Sequence, residues 1–120
     1  MQELAFRSSQ GAITCRFNYP KAIRMRDESI ALNLYRIAQE AVANALKHGK
    51  PSEIVISLSR EKKGIVLEVK DNGTGLAKKR NPRGMGVHIM EYRAETIGAT
   101  FTAEPRRQGG TIVRCVLQPR

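Results

Sequence analysis

Arg36-Ile37-Ala38-Gln39-Glu40-Ala41-Val42-Ala43-Asn44-Ala45-Leu46-Lys47-His48, then Asp71-Asn72-Gly73-Thr74-Gly75, then Gly84-Met85-Gly86 are the segments that decide how this chain is read. The first is rich in alanine, has no internal Gly or Pro, and carries Ile37, Ala38, Ala41, Val42 and Ala45 at three- and four-residue spacing. That is the pattern of a helix with one buried face. Glu40 and Asn44 are i and i+4, so they share a face, and Lys47 follows one turn later. Alone, such a trio is most simply a solvated helix face. Here it is followed by a lone Asp before glycines and then by a second glycine pair, and the order gives the set its meaning.

Outward from this helix the chain divides cleanly. Ile30 and Leu34 extend the apolar stripe, so the helix is expected from about Ile30 to Lys47, opened by Asp27-Glu28-Ser29. Lys47 and His48 suit its C-terminus, and Gly49 and Pro51 end it. Residues 12–17 alternate through Ile13, Cys15 and Phe17 and read as a strand, broken by Asn18-Tyr19-Pro20. Ile54, Ile56 and Leu58, then Ile65, Leu67 and Val69, form two alternating runs joined by Glu61-Lys62-Lys63-Gly64, a β-hairpin with one buried face. Asp71 stands at the mouth of its second strand. The polar, basic segment from Leu76 to Arg83 reads as a mobile loop. A second helix is expected from about Gly86 to Ile97, with Val87, Met90, Ala94 and Ile97 as its inner stripe and Gly98 as its stop. Strands over 99–104 and 111–117 close the chain. Strand, helix, two strands, helix, two strands predicts an α+β two-layer sandwich: helices on one face of a largely antiparallel sheet.

The bulk composition is compatible with one domain over residues 1–120. A chain of 120 residues, 41% hydrophobic, can bury a core without metal or disulfide staples. No apolar run approaches the roughly 20 residues of a membrane span, and no charged-then-apolar leader opens the chain. The expected setting is cytoplasmic, alone or as the cytoplasmic part of a larger protein. Cys15 and Cys115 both lie in strand-like alternation and read as buried thiols. The net charge of +10 raises nucleic acid, anionic membranes and phosphate ligands as partners. Lys78, Lys79, Arg80 and Arg83 crowd between the two glycine motifs, which favours phosphate as much as it favours a plain solvated loop. Three Tyr, three Phe and no Trp leave no stacking platform along a basic strand, which argues against nucleic acid.

The chemistry follows from residue type and position. A hard cation such as Mg²⁺ takes oxygen ligands and keeps several waters, so the Asn44 amide together with nucleotide phosphates can hold one. Glu40, one turn away, can orient a water or receive a proton. Asp71 is good turn chemistry with Asn72-Gly73; buried, it can also accept from an exocyclic amine and so distinguish adenine from guanine. Gly73 and Gly75 let a flat base approach the backbone. Gly84 and Gly86, before the second helix, can present N–H groups to phosphate.

Arg36 to His48 resembles the N-box of the Bergerat-fold (GHKL) ATPases, the superfamily of sensor histidine kinases, gyrase, MutL and heat-shock chaperone ATPases. Asp71-Asn72-Gly73-Thr74-Gly75 resembles its first glycine box, Gly84-Met85-Gly86-Val87 its second, and Gly109-Gly110-Thr111 the entry to its final strand. The resemblance covers residues from about 30 to 117. The Gln-Glu-Ala, Asn-Ala and Lys-His wording and the short lid resemble the sensor kinases that pair with NarL-type response regulators.

The resemblance implies ATP and Mg²⁺ as ligands. Asn44 would coordinate the metal, with Glu40 beside it as general base or at a metal-bound water. Lys47 would approach the phosphates and His48 would line the same end. Asp71 would read the adenine amine, with Thr111 supporting it through water. Gly73, Gly75, Leu76, Gly84, Met85, Gly86 and Val87 would shape the pocket and its lid. Nothing before Ile30 resembles the family's phosphoacceptor helix, and neither His48 nor His88 sits in its motif. The expectation is therefore a catalytic ATP-binding domain, monomeric by itself and with no membrane contact of its own, that serves a histidine on a separate dimerisation domain. An anti-sigma-type protein serine kinase shares the same boxes and is the alternative; the Lys47-His48 ending favours the histidine kinase.

Overall fold

A computed structural model describes residues 2–8, 11–18, 28–49, 51–62, 64–73 and 85–118, with residues 2–8, 11–18, 48, 49 and 85 described by their backbone alone. Six strands and two helices appear in chain order: β1 (Gln2–Ser8), β2 (Gly11–Asn18), α1 (Glu28–Asn44, continued by a π-helical turn Ala45–Gly49), β3 (Glu53–Glu61), β4 (Gly64–Asp71), α2 (Met85–Thr96), β5 (Thr100–Pro105) and β6 (Thr111–Leu117). The sheet order is β1-β2-β3-β4-β6-β5. All neighbours are antiparallel except β2 and β3, which run parallel with Thr14 opposite Glu53 and α1 as their crossover. The two-layer α+β sandwich is thus borne out, with helices on one face.

Two boundaries differ from the periodicity argument. Residues 2–8 form an edge strand paired to β2, Leu4 opposite Cys15, where no strand is expected from the sequence; the alternation of Leu4 and Phe6 is too short to stand out. The first helix changes character after Asn44, its last turn widening to i→i+5 hydrogen bonds. That turn keeps Ala45 buried at 6% exposure and leaves Lys47 exposed. The loop expected over 76–83, with its four cations, lies outside the described residues.

Strand alternation sorts the sheet into two faces. Ile54, Ile56, Leu67, Val69, Val113 and Cys115 face the helices and meet Leu34, Ile37, Ala41, Val87, Met90 and Ala94 in one core, with Ile37, Ile54, Met90 and Cys115 fully buried. Burial pushes the Cys115 thiol up to about 11, so it stays neutral and inert. Cys15 lies on β2, three strands from β6; at about 4.8 Å per strand that is roughly 14 Å, too far for a disulfide. Gly98 closes α2 with a positive φ of 74°, its N–H bonding Glu95 O at 3.0 Å. Among the described residues no helix is long and apolar enough to cross a membrane.

The two helices are joined at one end by polar groups. Asn33, 8% exposed, donates from Nδ2 to Ser29 O at 2.8 Å and accepts from Arg93 Nη1 at 3.3 Å. This bond clamps the later half of α2 to the early half of α1. The opposite sheet face carries an ion-pair cluster: Arg114 Nε donates to Glu68 Oε2 at 2.9 Å, Arg114 Nη2 also reaches that oxygen, and Lys70 Nζ lies 3.4 Å from Oε1. Burial works against the Glu68 charge, yet Arg114 and Lys70 together hold its carboxyl below the usual range. A depressed folded pKa means the cluster stabilises above the unfolded carboxylate value and loses that effect as pH falls through the folded one. Both cations are more than two-fifths exposed, so Glu68→Gln is expected to cost no more than about 1 kcal/mol. Denaturant unfolding at neutral pH measures this, and nucleotide affinity should be unchanged, since the cluster lies on the face away from the helices.

Candidate nucleotide site

Asp71 continues the helix-facing row Leu67, Val69 on β4, so the pleat itself turns a carboxylate inward at the strand's end. It is 7% exposed. Its Oδ1 accepts the Gly73 N–H at 2.8 Å, and the Thr111 N–H also bonds its carboxylate. Asp71 therefore makes the turn contact expected of it and is buried. Burial pushes its pKa up, while the Gly73 and Thr111 N–H groups and the nearby Arg106 charge pull the other way. Thr111, 9% exposed, supports Asp71 directly through its backbone, a shorter route than the water-mediated one the resemblance implies.

Asn72 secures this strand end on the other side. Its Oδ1 accepts the Ser52 and Glu53 N–H groups at 2.9 and 3.0 Å, and its own N–H donates to Glu53 O at 3.3 Å. Because the short segment Gly49–Glu53 links the π turn of α1 to β3, these bonds bring the helix C-terminus to the same end of the sandwich as Asp71. The turn between β5 and β6 arrives there too. Gly110 has φ 93°, and a Cβ on it would collide with the Asp71 carbonyl. Only glycine permits both the left-handed backbone and that approach.

Asn44, at the last α-helical position of α1, is half-buried, as is Glu40 one turn before it; Lys47 is exposed on the π turn. The Asn44 carboxamide presses on α2: a Cβ built on Gly86 would stand 2.6 Å from Asn44 Oδ1 and 2.8 Å from Nδ2. Gly86 is thus small because Asn44 needs the room, a different reason from the phosphate-facing N–H expected of it. The contact nonetheless brings the N-terminus of α2 to Asn44, with Val87 buried at 5% behind it.

The structure therefore gathers Asn44, Gly86, Val87, Asp71, Gly73 and Thr111, with Glu40 and Lys47 on the same helix as Asn44, around one end of the sandwich. Gly75, Leu76 and Gly84 lie outside the described residues, as do the side chains of His48 and Met85. His88 is exposed on α2, as is Tyr92 at 70%. Among the described residues no three His, Cys, Asp or Glu side chains group as a metal cage. The oxygen donors present, Asn44 and Glu40, suit a hard cation that keeps most of its waters. Sequence reasoning missed Arg106, whose Nη1 donates to Asp71 O at 2.8 Å; its only sequence signal is an arginine just ahead of the glycines of a turn.

Comparison with known proteins gives the chain's family and fold. Residues 29–120 match the family described as histidine kinase-, DNA gyrase B-, and HSP90-like ATPase. The chain is 38% identical over 89 residues to the nitrate/nitrite sensor protein NarQ of Escherichia coli (strain K12), covering 72% of this chain and 16% of that protein. It is 35% identical over 89 residues to the oxygen sensor histidine kinase NreB of Staphylococcus carnosus (strain TM300), covering 72% and 26%. The chain thus spans about a quarter or less of these relatives. The ATP binding domain of PrrB from Mycobacterium tuberculosis has the same fold, with TM-score 0.60 and 23% identity over 74% of this chain and 68% of that one. The chain belongs to the histidine kinase-, DNA gyrase B-, and HSP90-like ATPase family, and its relatives of known name include sensor histidine kinases.

Proposed function

We propose that this domain binds Mg·ATP and donates the γ-phosphoryl group to a histidine on a separate dimerisation domain, within cytoplasmic two-component signalling through a NarL-type response regulator. The observation that carries the nucleotide reading is Asp71. A carboxylate that burial disfavours, held in place by two backbone N–H groups at the meeting point of helix ends and turn, is costly to keep. An adenine amine is a ligand for which that cost is useful, since the ionised oxygen accepts it strongly. The family match and the sensor kinases among the relatives support the phosphotransfer reading.

In this reading the chain's own groups position and the acceptor attacks. Asp71 accepts from the adenine amine, with Gly73 and Thr111 holding its oxygens. Asn44 would hold Mg²⁺, and the ion, when bound, neutralises charge on the phosphates. Lys47 and the N-terminus of α2 extend that positive environment. Glu40 takes the proton of the incoming imidazole as its nitrogen bonds to the γ-phosphorus and the bond to the β–γ bridging oxygen breaks, releasing ADP. Much of the catalysis is positioning.

The domain alone is then expected to bind ATP and not to label itself, because neither His48 nor His88 sits in the family's phosphoacceptor motif. Supplying a dimerisation domain with its own histidine should restore acid-labile label from γ-labelled ATP. Glu40→Ala should abolish that transfer while most ATP binding remains. Stable label on His48 or His88 in the isolated domain would overturn the proposal.

A further inference from the structure

Arg106 and Gly110 close the β5–β6 turn on each other: Arg106 N–H donates to Gly110 O at 2.9 Å, and Gly109 N–H to Arg106 O at 3.1 Å. Both residues then converge on one atom outside the turn. Arg106 Nη1 donates to the Asp71 carbonyl at 2.8 Å, and the bare Cα of Gly110 packs on that same carbonyl. Thr111, the next residue, bonds the Asp71 carboxylate. Arg106 is half-buried, whereas its neighbour Arg107 is exposed. A guanidinium folded inward onto a backbone carbonyl at the end of β4 has exchanged much of its water for a fixed position. There its charge also reaches the Asp71 side chain.

We infer that Arg106 is a positioning and specificity residue for the nucleotide base: by bonding the Asp71 carbonyl it locks the Asp71–Gly73 strand end in register and sets its guanidinium beside the carboxylate that accepts the adenine amine. This rests on the reading of Asp71 as the base acceptor. The other charged groups on surrounding elements are Glu53 at the start of β3, Arg107 in the turn, and Glu40 and Lys47 on the helix; Lys70, adjacent on β4, points to the opposite face and pairs with Glu68. Of these described groups, Arg106 is the one whose charge acts on Asp71. Burial favours the neutral acid and Arg106 opposes it. Removing the guanidinium therefore moves protonation of Asp71 to higher pH, and the protonated acid accepts the amine without charge assistance.

The test is ADP titration of the purified domain by calorimetry from acid to weakly alkaline pH, for the unmodified chain, Arg106→Gln, Arg106→Lys and Asp71→Asn, each first checked for a native circular dichroism spectrum. The unmodified chain should bind ADP, and Arg106→Gln should weaken binding by up to about tenfold at the acid end of the series, the size of a lost charge-assisted contribution. The loss should grow as pH falls and shrink as it rises. Arg106→Lys keeps a charge in the turn and should retain the pH profile of the unmodified chain even if overall affinity drops. In the Asp71→Asn background, Arg106→Gln should add no pH dependence. A loss equal at every pH, or the same with and without Asp71, would make Arg106 a plain turn staple and overturn the inference. If the unmodified chain binds no ADP, the base-site reading fails first, and the inference with it; if it binds and Arg106→Gln binds equally well, the inference alone fails.

Discussion

Asp71→Asn is expected to weaken ATP and ADP binding by roughly 4- to 13-fold or more and to flatten its dependence on pH. The arithmetic is that of a hydrogen bond to a charged acceptor, about 1.5–3 kcal/mol, of which a neutral amide recovers less than half. The amide also turns a donor toward either the adenine amine or one of the two N–H groups that hold Asp71. Stability should respond far less than affinity. Asp71 has a folded pKa above its unfolded value because burial penalises its charge. Its ionised form therefore subtracts stability above that folded pKa, and the penalty fades as pH falls through it. Asparagine carries no such penalty, but it leaves one backbone N–H without its acceptor. The two nearly offset, and the change in unfolding free energy at neutral pH is expected to stay within about 1 kcal/mol. Calorimetry for affinity and urea unfolding for stability separate the two. A variant that unfolds easily and loses binding only for that reason would remove Asp71 from the site, and equal affinities for ATP and GTP in the unmodified chain would do the same.

Gly86→Ala should behave as a metal-site variant although it adds only a methyl group to a helix. The new Cβ would sit within 3 Å of three atoms of the Asn44 carboxamide, closer than a Cβ tolerates, so the amide must rotate away. The backbone at Gly86 is ordinary helix, and alanine should if anything favour it. Mg²⁺-dependent ATP affinity is then expected to fall by about 10–100-fold, the range seen when groups that orient a metal's ligands are disturbed. Metal-free ADP affinity should fall far less, and Asn44→Ala should show the same split. Titrations with and without Mg²⁺ decide it. Losses of equal size in both conditions would mean that the Asn44–Gly86 contact is helix packing and nothing more.

Much of this architecture is local information. The run from Ile30 to Ala45 has no breaker and a period near 3.6, so it is a helix wherever it sits. Ile54 to Val69 alternates on both sides of a lysine-rich turn, so it is a hairpin. The same alternation, counted forward from Leu67 and Val69, points Asp71 inward before any coordinates are known, and the glycines around it mark the chain's turns. What the sequence leaves open is every relation set by distant parts of the chain. That residues 2–8 pair with β2, and β2 runs parallel to β3, depends on which edges remain unpaired once the hairpin forms, not on a pattern within seven residues. That Gly86 yields to Asn44 depends on how closely α2 approaches α1, which the Asn33–Arg93 bond and the buried side chains between them decide together. Arg106 is an ordinary turn arginine in the sequence. Only the register of β4 against β6, with Lys70 opposite Ile112, carries the Arg106 turn over the end of β4, where its charge meets the buried Asp71. Periodicity is written residue by residue, whereas close approach is a property of the packed core, and the site lies where the two meet.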